Sequence, residues 1–262
     1  MDNHVLSWGL GQFGELGLGR DELEVTNPRL IDSLLKYSVI KIACGNGFSV
    51  FVTKNGLVLT CGSHSSGCLG HPNKEDLFEP RLINSLINVN ILEVSSGTDY
   101  VVVISIDGFA WAWGNNRNGK LGIHDTRPMV PVPARVVVPE GVRFMKVFCG
   151  ADATAFLDHL GNLWLCGSNE HNKLALNRVS MFGTRPMSFV KSPHRVRLAG
   201  KSKCSQVAFA HRHTLFLHEN GSLVAAGNNQ EGQLGRRHIR PVLKAVYCTA
   251  IPRYHQVKVG GP

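Results

Sequence analysis

The 262-residue sequence has no long hydrophobic run. Apolar stretches such as Tyr100–Ile104 stop far short of the roughly 20 residues that a membrane-spanning helix needs. The first residues, Met1, Asp2, Asn3 and His4, show no basic segment leading into an apolar core, so no secretory signal is read there and residence in the cytoplasm or nucleus is expected. Cysteine is sparse and odd in number, seven in all, with no Cys-x-x-Cys pair. Cys44 matches Cys149 and Cys61 matches Cys166 in the repeats set out below, where other copies carry Ser96, Trp113 and Ala226. Positions that exchange cysteine for serine, tryptophan or alanine fill space, and reduced thiols in a reducing compartment are expected. Acid is scarce in one region only. Residues 178–262 hold 14 Lys/Arg against two acids, Glu219 and Glu231, a local charge of +12, while residues 1–177 hold 14 Lys/Arg and 17 Asp/Glu. That asymmetry points to an acidic partner for the C-terminal third.

What is present is a repeat. A glycine is followed by a leucine seven residues on, five times: Gly9 to Leu16, Gly62 to Leu69, Gly114 to Leu121, Gly167 to Leu174 and Gly227 to Leu234. The glycines lie 53, 52, 53 and 60 residues apart. A second signature, an apolar residue three before a glycine or alanine, falls between them at Ile42–Gly45, Val94–Gly97, Val147–Gly150, Val207–Ala210 and Val257–Gly260. Each pair of signatures brackets a hairpin pattern, as in Phe48–Thr53, Lys54-Asn55-Gly56 and Leu57–Cys61, with flanks rich in Val, Ile, Phe, Thr and Trp. No stretch shows the 3.6-residue period of a long amphipathic helix. A period near fifty built from short strands predicts an all-β propeller of four-stranded blades, about five repeats, with glycines where the backbone turns tightly or approaches closely. The whole of 1–262 reads as one repeat domain, with signatures at 8–17, 42–70, 94–122, 147–175 and 207–235 and a partial one at 257–262. His4–Trp8 reads as the last strand of a blade and Val257–Gly260 as the opening of another, so either the two ends complete one blade or the chain is part of a larger ring.

These signatures resemble the repeat of the regulator of chromosome condensation family, a Gly-x-x-His-Thr segment, a hairpin, then Trp-Gly and Gly-x-Leu-Gly. Trp113-Gly114 through Gly119-Lys120-Leu121-Gly122 and Ala210-His211-Arg212-His213-Thr214 match it closely. Cys166-Gly167 through Leu176-Asn177 is similar to the repeat domain of NIMA-related serine/threonine kinases of the Nek-nine type, as is the longer fourth interval. The resemblance implies a regulatory, protein-binding propeller, with a kinase domain and mitotic or ciliary proteins as partners and the centrosome or cilium as a location. The sequence departs from the family in having about five repeats rather than seven, and in carrying Phe48, Tyr100 and Ala153 where the family has histidine.

Catalytic motifs are not read in the chain. Gly9-Leu10-Gly11-Gln12-Phe13-Gly14 fits a phosphate-loop pattern, but no following strand lysine, H-R-D or D-F-G segment supports a kinase, and no helix opens at the third glycine. His211, His213 and His218 are too few to specify a zinc site. No cofactor is implied. Trp8, Trp111, Trp113 and Trp164 alternate with apolar residues and are expected in the core. The basic residues remain. Arg178, Arg185, Lys191, Arg195, Arg197, Lys201 and Lys203 fall in an acid-free stretch read as a long loop that includes Ser192-Pro193, a weak phosphorylation signal, and Arg236, Arg237 and Arg240 form a second group. They are the candidate partner-binding residues, either for an acidic or phosphorylated protein or for nucleic-acid phosphates. Two other readings stand beside the scaffold: a guanine-nucleotide exchange factor for a small GTPase, associated with chromatin, and direct nucleic-acid binding through the basic third.

Overall fold

Eighteen short strands make up the regular structure among the described residues, which are 4–176, 187–200, 202–236, 239, 242–248 and 254–257 of a computed structural model. β1 (Leu6–Leu10) and β2 (Glu24–Leu30) form a two-stranded sheet. Four antiparallel four-stranded meanders follow: β3–β6 (Val39–Gly45, Phe48–Thr53, Val58–Gly62, Leu77–Leu82), β7–β10 (Ile91–Ser96, Tyr100–Ser105, Ala110–Asn115, Met129–Arg135), β11–β14 (Phe144–Cys149, Ala153–Asp158, Leu163–Ser168, Phe189–Val196) and β15–β18 (Cys204–Phe209, His213–His218, Leu223–Gly227, Val242–Tyr247). The helical content among the described residues is four 3-10 turns of three residues each. This is a propeller fold, as the repeat predicts. Leu6–Leu10 is not a closing strand, however: β2 pairs beyond it, so β1 holds the third-strand place of a blade. All of the partial signature at 257–262 beyond Val257 lies outside the described residues.

The chain divides into two compact units, one of Met1–Asn116 with Asp125–Val136 and one of Arg117–His124 with Val137–Pro262. Within each, the middle strands are the most buried. β4, β8 and β12 are unbroken runs such as Tyr-Val-Val-Val-Ile-Ser, the pattern of strands covered on both faces. The fourth strand β6 alternates, because one face meets solvent, whereas β14 buries every third residue, Val190, Pro193 and Val196. In the first unit, the first strands of neighbouring blades lie side by side at the repeat spacing. Lys41 Nζ meets Glu93 Oε2 at 2.5 Å and Ser96 Oγ donates to the Cys44 carbonyl at 2.7 Å, each across 52 residues.

The signature glycines have a steric origin. Gly62, Gly114, Gly167 and Gly227 face Phe48, Tyr100, Ala153 and His213 across the hairpin, all at φ between +104° and +119°. A Cβ at any of them would stand 2.3–2.7 Å from the carbonyl oxygen just before its partner. The family's histidine position is thus the residue opposite this glycine, and its backbone rather than its side chain makes the demand.

The signature leucines Leu16, Leu69, Leu121, Leu174 and Leu234 are all buried, and the first four end arms that reach onto the next blade. The carbonyl before the leucine is the docking point. Glu15 O accepts from Ser49 Oγ at 2.7 Å and from Cys61 Sγ, Cys68 O from Trp113 Nε1 at 2.8 Å, and Lys120 O from Thr154 Oγ1 at 2.7 Å and Cys166 Sγ. Cys61, Trp113 and Cys166 therefore do more than occupy volume, since each donates to an arm carbonyl. None of the seven thiols is in a disulfide, and Cys61, Cys68, Cys166 and Cys204 are buried while Cys44 is exposed. Burial pushes Cys68 and Cys204 up to about 12 and Cys61 and Cys166 higher still, so these four stay protonated donors. Trp113→Phe removes the indole N–H and leaves Cys68 O without that donor; we expect a loss of about 2 kcal/mol in urea unfolding, with unchanged slope.

Candidate partner-binding site

β14 carries Lys191 and Arg195 of the predicted cations, and it is a strand where a loop was expected. Val190, Pro193 and Val196 turn inward along it, and Pro193 packs against Gly122 of the arm. A register shift between Leu165 and Gly167 of the partner strand accommodates that spacing, and an outer strand tolerates proline because its free edge needs no N–H. Lys191 and Arg195 are exposed between these inward positions, and Ser192-Pro193 is held within the strand. Lys191 Nζ sits 5.9 Å from the Phe189 ring. Arg197 follows the strand and Lys203 precedes β15, both exposed. Arg236 is tied down instead, donating to the Tyr247 carbonyl at 3.3 Å. Arg178, Arg185, Lys201, Arg237 and Arg240 lie outside the described residues.

Arg195, Arg197 and Lys203 converge on one cleft of about 290 Å³ at the outer end of β14. Its wall is the Asp158–Asn162 hairpin turn. Asp158 accepts from the backbone N–H of Leu160 and Asn162, from Asn162 Nδ2 at 2.8 Å and from Trp164 Nε1 at 2.9 Å. Burial alone would raise this carboxyl, but the donors outweigh it and hold Asp158 below the usual carboxylate range. Asn162, fixed this way, accepts Nη2 of Arg195 on its Oδ1. The Lys203 stem lies across Gly161, where an added Cβ would stand 2.5 Å from Cδ. Ser202 and Gly200 complete the rim, and buried His218 forms the floor.

Sequence reasoning named the cations but not Asn162 or Ser202, and it weighed His218 only as a metal ligand. The other singled-out residues serve the fold. Gly14 of the phosphate-loop pattern faces the Leu77 carbonyl, 2.5 Å from where its Cβ would be. His211, His213 and His218 are separately employed: the His211 carbonyl accepts Lys173 Nζ at 2.8 Å, His213 pairs with Gly227, and His218 lies beneath the cleft. Trp113 and Trp164 are buried as expected, but Trp8 is exposed on the two-stranded sheet.

The repeat geometry has a counterpart among known proteins. The profile of the RCC1-like domain matches residues 1–261. The chain belongs to the RCC1-like domain family. Among curated relatives, this RCC1-like domain is 33% identical over 232 residues to the ultraviolet-B receptor UVR8 of Arabidopsis thaliana, covering 88% of this chain and 50% of that one. It is 30% identical over 230 residues to the serine/threonine-protein kinase Nek8 of Danio rerio, covering 83% of this chain and 33% of the kinase. The chain thus spans a third to a half of the length of these relatives. Human WBSCR16 shares its fold at a TM-score of 0.80 and 21% identity, over 97% of this chain and 64% of that one.

Proposed function

We propose that this RCC1-like domain is a regulatory protein-docking module, the propeller of a NIMA-related kinase, which captures an acidic partner on the face formed by Lys191, Arg195, Arg197 and Lys203. The observation that carries the reading is the convergence of Arg195, Arg197 and Lys203 on one cleft whose described lining includes no carboxylate. The match to Nek8 over most of this chain supports the choice of parent protein. Added in trans to a NIMA-related kinase domain, the propeller should lower its activity. Arg195→Glu with Arg197→Glu should weaken that effect about tenfold or more, as expected for losing charged hydrogen bonds, without shifting the melting temperature, because both side chains are exposed. An unchanged effect of the double variant counts against this face. Accelerated nucleotide release from a small GTPase, or DNA affinity falling steeply with salt, would favour the exchange-factor or nucleic-acid readings instead.

A further inference from the structure

Resting on that docking reading, we infer that the cleft between the Asp158–Asn162 turn and Lys203 is a phosphate-binding site, and that it takes a phosphorylated serine or threonine of a partner protein. Three observations converge on it. The first is charge without internal neutralisation. A second cleft, on the first unit, is lined by Arg20, Glu75, Asp76, Glu79 and Arg81, and there Arg81 faces Glu75 at 3.8 Å. The Arg195 cleft has no such compensation among its described residues: Asp158 is turned into its own hairpin by four donors, and Asn162 presents a neutral oxygen to Arg195. Arg195 is held in place with its charge unspent, as a bidentate phosphate contact requires.

The second observation is His218. The same place at the end of the second strand is Thr53, Ser105 and Asp158 in the earlier blades, and each of those accepts a backbone N–H of its own turn. His218 breaks that rule. Ser222 Oγ donates to Asn220 Oδ1 at 2.8 Å, so it accepts from His218 Nδ1, 3.1 Å away. The other ring nitrogen, Nε2, is buried without a partner among the described residues. The ring is 2% exposed, and burial pulls its proton affinity below the ordinary histidine value, leaving it neutral. The repeat does not ask for this residue, and an unpaired buried nitrogen costs stability. A dianion in the cleft that His218 helps to line acts on the ring through its field, favouring the protonated form. The titratable groups around His218 are Cys204 across the strand pair, the Tyr247 ring at 6.4 Å and Glu219 as chain neighbour, with Arg195, Arg197 and Lys203 lining the same cleft.

The third observation is size. About 290 Å³ falls just under the range of pockets that hold drug-sized ligands and is enough for one phosphorylated side chain. Three cations suit the near −2 charge of a phosphomonoester better than the single charge of a carboxylate.

The test is a fluorescence-anisotropy titration of the whole domain with a neutral peptide carrying phosphoserine, the same peptide with serine, and the same with glutamate. We expect phosphoserine to bind about thirtyfold tighter than serine, and the preference to vanish in Arg195→Glu/Arg197→Glu. In wild type the phosphopeptide should tighten as the pH falls from about 8 to about 6.5, because binding takes up the His218 proton; Lys and Arg stay charged throughout that window, and the phosphoserine, with its second pKa at about 6, stays mostly dianionic and opposes the trend only at the lower end. His218→Gln should flatten the profile while keeping the fold. Equal binding of the three peptides overturns the inference. Inorganic phosphate binding as tightly as the phosphopeptide overturns the peptide assignment, and an oligonucleotide that displaces the phosphopeptide in low salt overturns it in favour of nucleic acid. Partner capture that the Arg195/Arg197 variant abolishes but phosphatase treatment leaves intact sinks the phosphate site while the docking reading stands.

Discussion

Gly167→Ala is expected to cost this domain about 3 kcal/mol or more, whereas Gly9→Ala costs about 1–2 kcal/mol. The two glycines share the left-handed backbone that side chains avoid, φ +104° and +111°, so the strain of placing an L-residue there is common to both. What differs is the surroundings. A Cβ on Gly167 would stand 2.4 Å from the Asp152 carbonyl oxygen, which accepts the Ser168 N–H at 2.8 Å, and 2.7 Å from the Cα of Ala153, the first residue of a strand paired on each side. Neither can retreat without breaking the pairing of Ala153 with Gly167. Gly9 lies in the two-stranded sheet, and a Cβ there meets nothing within 4 Å. Thermal unfolding of the two variants separates strain from contact, and at this chain length the difference should appear as a melting temperature several degrees lower for Gly167→Ala. Equal losses would mean that the glycine signature records backbone conformation alone.

That pair of residues also shows what is legible in the sequence. The five glycine-to-leucine intervals encode a local requirement, a hairpin partner pressing on a bare Cα and an arm of fixed length, and local requirements repeat visibly along a chain. The docking of each arm does not. Trp113 and Cys166 were readable as buried, but their donation to carbonyls 45 and 46 residues earlier depends on the arm folding onto the following blade. Lys41 and Glu93 likewise meet across 52 residues, a spacing that means something only once the first strands are known to be neighbours. Trp8 misled because the pattern that buries Trp113 assumes a full sheet, and β1 has one partner strand. At the site, the cations were legible from the missing acids. Their placement was not, since a strand carrying Ser192-Pro193 and a register shift lacks a clean two-residue alternation. His218 had a readable signal that went unused: aligned on the hairpins, it replaces Thr53, Ser105 and Asp158, side chains that cap their own turns.

Asp152→Ala should be the most damaging charge deletion in the second unit, at about 3–5 kcal/mol. Lys173 lies in the Gly-x-Leu-Gly arm with its side chain wholly buried, donating to both oxygens of Asp152 at 2.6 and 2.7 Å and to the His211 carbonyl at 2.8 Å. The ammonium thus pins the arm to the turns that precede β12 and β16. Removing the carboxylate leaves a buried cation with one neutral acceptor, and the cost is that of the stranded charge rather than of the bond itself. Lys173→Met discards the charge, keeps most of the volume, and should lose only about 1–2 kcal/mol. The double variant is therefore expected to be more stable than Asp152→Ala alone, a coupling of about 2 kcal/mol by double-mutant cycle in urea. Asp152 keeps a fifth of its side chain in solvent, so water can enter beside the ammonium, and the lower end of the range is the better guide for the single deletion. If the two losses simply add, the pair is an ordinary surface contact, and the arm is held by Leu174 and its backbone hydrogen bonds alone.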